Sequence, residues 1–149
     1  MADERAIGKY ECIRLKNQLC FPLYACAKEV IRQYRRPLEG LGLTYTQYVV
    51  MMALWEFGGM TEGELGGKVY LDSGTLTPLL KRLEKQGLIS RMRPDDNERK
   101  LFISLTEEGE ILKEKAVAVP QAMEGCIDLD AEELIQLKYL LDKALARME

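Results

Sequence analysis

Four residues of this 149-residue chain carry a thiol, Cys12, Cys20, Cys26 and Cys126, and none carries an imidazole. Without histidine there is no imidazole general base and no mixed Cys/His zinc set, and no CxxC pair is present. No metal and no cofactor are therefore expected. What remains is thiol chemistry. A thiol reacts as its thiolate, and the free N–H groups of a helix N-terminus favour that anion. Cys20 falls where such a start is expected. Leu23, Ala27, Val30, Ile31 and Tyr34 make a helical apolar stripe over residues 19–39. Pro22 suits a first turn, where its missing N–H has no intrahelical partner, so the helix is expected to begin at residues 18–21. On its own, a lone cysteine on an apolar helix is more often inert packing.

A second chemistry is phosphate binding. Residues 70–105 read as a helix, a tight turn and two short strands joined by a charged loop. Asp72 or Ser73 can cap the helix. Leu76, Leu79, Leu80 and Leu83 share one face and point inward. Ser73, Thr75, Thr77, Lys81 and Lys85 fall largely elsewhere and can face a partner. Gly87 suits the left-handed position past the helix end. Residues 88–93 and 101–105 alternate as strands, and Pro94, Asp95, Asp96 and Asn97 supply the turn between them. Between Lys68 and Lys100, eight basic residues, among them Arg82, Arg93 and Arg99, stand against five acidic ones, whereas the whole chain has a net charge of -3. Local neutralisation of phosphates, not net charge, gives affinity for DNA. The pattern is that of a winged helix, with its second helix in the major groove.

The remaining elements must position these two groups. Gly40 and Gly42 end the first long helix. Thr44 and Gln47 form a capping box that opens a buried helix through Tyr48, Val49, Met52, Leu54 and Trp55. Thr61 and Glu64 form another, for a short helix to about Val69. Thr106 caps a helix that runs towards Pro120 or beyond, and Asp130 with Glu133 opens the last. Residues 1–15 read as a loose or short-helical lead. The expected fold is mainly α with a small β wing, one domain over 1–149. Residues 44–106 form the DNA-binding lobe, and 10–40 and 107–149 form dimerisation helices. The apolar stripes of the flanking helices exceed what one small module can cover, which implies a homodimer presenting two recognition helices to a pseudo-palindromic operator in double-stranded DNA. No run of about 18 apolar residues is present, so no membrane span is expected. The polar N-terminus lacks a signal core, which points to the cytoplasm.

The order of elements resembles the MarR family of transcription regulators over nearly the whole chain, as does residue run 104–109, Ser-Leu-Thr-Glu-Glu-Gly, at the exit from the wing. Residues 17–21 (NQLCF), 43–48 (LTYTQY) and 70–84 (YLDSGTLTPLLKRLE) are similar to its organic-hydroperoxide-resistance branch, OhrR. That resemblance implies a repressor that releases DNA when one N-terminal cysteine is oxidised by an organic hydroperoxide. It makes Cys20 the sensing thiol, and Tyr34 and Tyr45, with Tyr24 nearby, the hydroxyls that hold its thiolate, expected from the other subunit. A phenol O–H is a good donor to a sulfur anion. Cys126 is similar to the distal cysteine of the two-cysteine type, which implies an intersubunit Cys20–Cys126 disulfide; a low-molecular-weight thiol capping Cys20 is the alternative. Cys26 lies six residues on, a rise of roughly 9 Å, and neither it nor Cys12 gains a role. Two departures stand out. Asn97 occupies the place of the usual wing-tip aspartate that steadies the wing arginine, here Arg99, and Pro22 is atypical beside the reactive cysteine.

In this reading Arg99 reaches a minor groove, Ser73, Thr75 and Thr77 approach base edges, and Lys81, Arg82, Lys85, Arg93 and Lys100 meet phosphates. The chain is then not an enzyme. The competing readings are a MarR-type regulator controlled by a small aromatic ligand, a thiol peroxidase using Cys20, and a winged-helix adaptor that does not bind DNA.

Overall fold

The computed structural model describes residues 4–96 and 99–149; the expectation for Asn97 lies outside the described residues. In chain order the elements are α1 (Glu4–Glu11), a 3-10 turn (Leu15–Asn17), α2 (Cys20–Glu39), α3 (Tyr45–Phe57), β1 (Met60–Thr61), α4 (Glu62–Val69), α5 (Ser73–Lys85), β2 (Ile89–Met92), β3 (Phe102–Leu105), α6 (Glu107–Ala116), α7 (Ala118–Ala122) and α8 (Ala131–Ala146). This is the winged-helix arrangement expected of the sequence: mostly helical, with a small antiparallel sheet.

Local chemistry sets the helix starts. Thr44, Thr61 and Asp130 each accept from the backbone N–H three residues on, and the side chains of Gln47, Glu64 and Glu133 reach back to the cap residue's N–H. Asp72, not Ser73, caps α5, accepting the Thr75 N–H at 2.8 Å. Each such cap is worth about 1 kcal/mol. At the far end of α5, Gly87 takes φ +77. Its N–H reaches the Glu84 carbonyl at 2.9 Å and the Leu88 N–H reaches Leu83 at 3.1 Å, the double closure that a left-handed residue permits.

The sheet has three strands rather than two, in the order β1-β3-β2, with Ile103 paired to both Met60 and Arg91. A two-residue strand carries no alternation, so β1 left no mark in the pattern. The core lies beneath this sheet, where Leu65, Leu76, Leu80, Leu83, Ile89 and Ile103 are almost fully enclosed with Leu38, Met51 and Leu54.

Two other expectations are corrected. The helix after the wing does not run unbroken to Pro120: it stops at Ala116, and a separate short helix follows. Pro120 has no N–H for the Ala116 carbonyl, and its ring crowds that oxygen. The buried face of α3 is also turned from the one expected. Tyr48, Val50, Met51, Ala53 and Leu54 are buried, Val49 and Trp55 are half-buried, and Met52 is exposed. Apolar residues surround this helix almost completely, so spacing alone does not select its inner face.

By contrast α2 buries only Leu38, and α8 buries nothing. Leu23, Ile31, Leu134, Ile135, Leu140 and Leu141 stand exposed on them. No helix among the described residues is long and apolar enough to cross a membrane.

At the start of α6, Gly109 lies so close to the wing base that a Cβ there would sit 2.1 Å from the Leu88 carbonyl oxygen. Gly109→Ala is expected to lower stability by about 1–3 kcal/mol through forced displacement. Gly67→Ala, on α4 with open space at the same point, should raise it by about 0.5–1 kcal/mol. Thermal melts of the two variants check both signs.

Candidate thiol and nucleic-acid sites

Cys20 is the first residue of α2 and is exposed. Leu19 precedes it in the cap position and makes no side-chain cap bond, so capping does not claim the first-turn N–H groups beside the thiol. Tyr24 stands one turn along the same helix, exposed. With Phe21 and Tyr45 it lines a cavity of about 740 Å³ that also meets Lys28, Arg32 and Arg35. Cys12 and Cys26 are exposed. The Cys12 thiol donates to the Lys9 carbonyl at 3.2 Å.

The other proposed thiol-site residues meet farther along α2. The Tyr34 and Tyr45 rings lie 4.7 Å apart, and the Tyr48 ring is 6.0 Å from Tyr34. Tyr48 in turn meets Trp55 edge-on at 6.4 Å. Cys126, half-buried in the loop after α7, belongs to this cluster. Gln33 donates to its carbonyl at 3.5 Å, and its thiol acts on the Tyr34 phenol. Burial, then Tyr45, Tyr48 and Cys126, push the Tyr34 phenol above its ordinary range. Burial, then Tyr45, do the same for Tyr48. Both therefore remain donors at any physiological pH. Cys20 stands fourteen positions before Tyr34 on one continuous helix, roughly 21 Å at the α-helical rise. Within one chain the structure thus brings Tyr34, Tyr45 and Cys126 together, places Tyr24 on the cavity it shares with Tyr45, and leaves Cys20 far from Tyr34.

The nucleic-acid candidates lie on α5 and the wing, and some of them share a groove. Ser73 and Thr75 are exposed on the first turn of α5, and Lys81, Arg82 and Lys85 farther along it. Ser73, Arg93, Arg99 and Lys100 line an open groove of about 1150 Å³ between α4, α5, the wing and the C-terminal residues Leu145, Met148 and Glu149. Thr77 is half-buried, and its hydroxyl donates to the Glu62 carboxylate at 2.5 Å. That bond ties the recognition helix to the start of α4. Arg91, counted among the basic residues, pairs with Glu84 of α5 at 3.2 Å with its side chain largely covered.

Sequence reading missed three participants. Glu62 holds Thr77. Tyr70, in the left-handed conformation at φ +56, donates to the Glu149 carboxylate at 2.6 Å. The Trp55 indole N–H donates to the Gly109 carbonyl at 2.9 Å. The last two join residues 79 and 54 positions apart, which no local pattern announces.

A family profile described as MarR family matches residues 43–101. The organic hydroperoxide resistance transcriptional regulator of Bacillus subtilis (strain 168) is 49% identical over 134 residues, spanning 90% of this chain and 91% of its own. Among solved structures, reduced AbfR bound to DNA is 36% identical and superposes with a TM-score of 0.78 over 94% of this chain and 96% of that one. The disulfide-formed AbfR superposes at 0.61, over 96% and 95%. Of those two forms, this chain's conformation is closer to the reduced, DNA-bound one.

The raised phenols predict an alkaline response. The folded chain binds the Tyr34 and Tyr48 protons more tightly than the unfolded chain does. Their stabilisation is complete below the unfolded value near pH 10 and is lost as pH climbs through the raised folded values. In alkaline denaturation, Tyr34→Phe should lose less stability than wild type over that window; an equal loss would contradict the assignment.

Proposed function

The chain belongs to the MarR family of transcriptional regulators, and from that premise we propose that it is a dimeric repressor which senses organic hydroperoxides at Cys20 and then releases its operator. The observation that carries this reading is the convergence of Tyr34, Tyr45 and Cys126 at a point that Cys20 of the same chain does not reach. A second copy, packed on the exposed apolar faces of α2 and α8, can deliver its own Cys20 there. Each site is then shared between subunits.

The chemistry follows from the residues. The Tyr34 and Tyr45 hydroxyls donate to the incoming Cys20 thiolate and stabilise it, and their rings receive the peroxide's organic part. The thiolate attacks one peroxide oxygen and the O–O bond breaks. Sulfur takes that oxygen as sulfenic acid, and the other oxygen leaves as an alcohol after gaining a proton. The Cys126 thiol then attacks the sulfenic sulfur; an S–S bond forms and water leaves. A small thiol can take the place of Cys126 in that step. Drawing Cys20 and Cys126 together moves the helices that carry them and so the spacing of the two recognition helices. The structures of AbfR described as reduced on DNA and as disulfide-formed support such a pair of states.

In the DNA-bound state Ser73 and Thr75 approach base edges and Lys81, Arg82 and Lys85 meet phosphates. Arg93, Arg99 and Lys100 flank the groove beside them, with Arg99 reaching a minor groove. The Thr77 hydroxyl, engaged by Glu62, fixes the helix and reaches DNA by exchanging that partner. Residues 44–106 form the DNA-binding lobe, and 10–40 and 107–149 the dimerisation helices, of a protein that works on cytoplasmic DNA.

A second reading has its own observation. The cavity bounded by Phe21, Tyr24 and Tyr45 is lined by Lys28, Arg32 and Arg35 and also by Glu29 and Glu39, with Arg32 paired to Glu29; its aromatic walls, with Lys28 and Arg35, suit a small aromatic acid held without covalent chemistry.

Gel shifts on the upstream region of the chain's own gene decide between the two. With cumene hydroperoxide, wild-type affinity should fall at least about fivefold while Cys20→Ser stays bound. Loss of binding by neither protein favours the non-covalent ligand. On non-reducing gels, peroxide should convert wild type to a covalent dimer, and Cys126→Ser should remove that band. A small-thiol adduct on Cys20 by mass would assign the alternative end state.

A further inference from the structure

The first turn of α6 sits at a junction of three elements. The Thr106 hydroxyl donates to the Gly87 carbonyl at the end of α5, at 2.6 Å, and accepts the Gly109 N–H at 3.1 Å. The Thr106 N–H reaches the Leu88 carbonyl at 3.1 Å, at the root of the wing. Gly109 is buried with no room for a Cβ. From the side of α3, the Trp55 indole N–H reaches this junction and donates to the Gly109 carbonyl. Trp55 is also the end of the aromatic column that begins at Tyr34 and Tyr45 and passes through Tyr48. One end of that column lies beside Cys126, and the other is bonded to the segment that fixes the recognition helix.

We infer that Trp55 is a positioning residue for the redox switch: its N–H makes α3 and the first turn of α6 move together, so that rearrangement at the thiol cluster reaches the end of α5. This inference rests on the redox reading above. Ring packing alone resists separation but slides easily, because dispersion contacts have little directionality. A hydrogen bond weakens steeply with angle. The bond therefore blocks the sliding of α3 along α6 that would otherwise absorb a shift of Tyr34 and Tyr45. Trp55 touches neither the oxidant nor, in this placement, the DNA face, so its effect appears in the coupling between the two sites rather than in either event alone.

The test compares reduced and peroxide-treated affinities for the same upstream duplex, using cumene hydroperoxide, which oxidises the Cys20 thiol and is reduced to its alcohol. Trp55→Phe keeps an aromatic ring and loses the N–H. A second replacement, benzothienylalanine at position 55, keeps the bicyclic shape and loses only the donor, so a folding defect in the first variant does not decide the outcome. Both should bind DNA within about threefold of wild type when reduced. Both should oxidise at Cys20 at the wild-type rate by mass spectrometry. The ratio of reduced to oxidised affinity should shrink by about three- to tenfold, the range through which one net hydrogen bond shifts an equilibrium. An unchanged ratio overturns the inference. So does an equal weakening in both redox states, which would make Trp55 purely structural. A wild type that ignores peroxide overturns the redox reading itself, and this inference with it.

Discussion

The rest of the structure depends on the contact between the start of α6 and the end of α5. One threonine side chain serves both helices, accepting the Gly109 N–H and donating to the Gly87 carbonyl. The backbone approach is so close that only glycine fits at 109. The recognition helix ends in a left-handed glycine and turns directly into β2. Its end, the root of the wing and the first turn of the following helix therefore share one set of hydrogen bonds. None of them can tilt without straining the others, and that makes the winged helix a body that moves as a unit.

Outside that body the burial is unfinished. The core from Leu38 to Ile103 is closed, yet Leu23 and Ile31 of α2 and Leu134, Ile135, Leu140 and Leu141 of α8 stand on open surface. Burying an apolar side chain of this kind stabilises by about 1.5–3 kcal/mol, so two facing copies have much to gain. The thiol chemistry is incomplete for the same geometric reason. Tyr34 and Cys126 meet within one chain, while Cys20 stands at the first residue of α2, roughly 21 Å from Tyr34 along the helix. In the proposed reading, the surface that lacks a partner and the site that lacks a thiolate are completed by the same event.

What the sequence discloses is what local chemistry decides. The caps at Thr44, Thr61, Thr106 and Asp130 were legible because acceptor and donor lie within one turn of each other. Leu76, Leu79, Leu80 and Leu83 were legible because they recur at three- and four-residue steps, with Thr77, Lys81 and Arg82 among the residues between. The inner face of α3 was hidden by its nearly uniform apolarity, β1 by its length of two residues, and the break after Ala116 by a good helix pattern that Pro120 interrupts from four positions away. At the thiol site, the residue types and the family resemblance named Cys20, Tyr34 and Tyr45. Only the fold places Cys126 beside Tyr34, and only the fold pairs Trp55 with Gly109. Contacts between distant positions leave no period to read.

The Arg91–Glu84 pair bears on how the DNA face answers to ionic strength. Both residues lie in the stretch whose basic excess first pointed to phosphate, but each has the other as its partner across α5 and β2. Salt dependence counts the phosphates that a surface neutralises and the counterions it releases. An arginine already neutralised by a carboxylate adds little to that slope. The pair instead holds the wing strand to the recognition helix, so the sensitivity of operator binding to salt is set by fewer cations than the sequence contains, and part of the module's charge serves its shape.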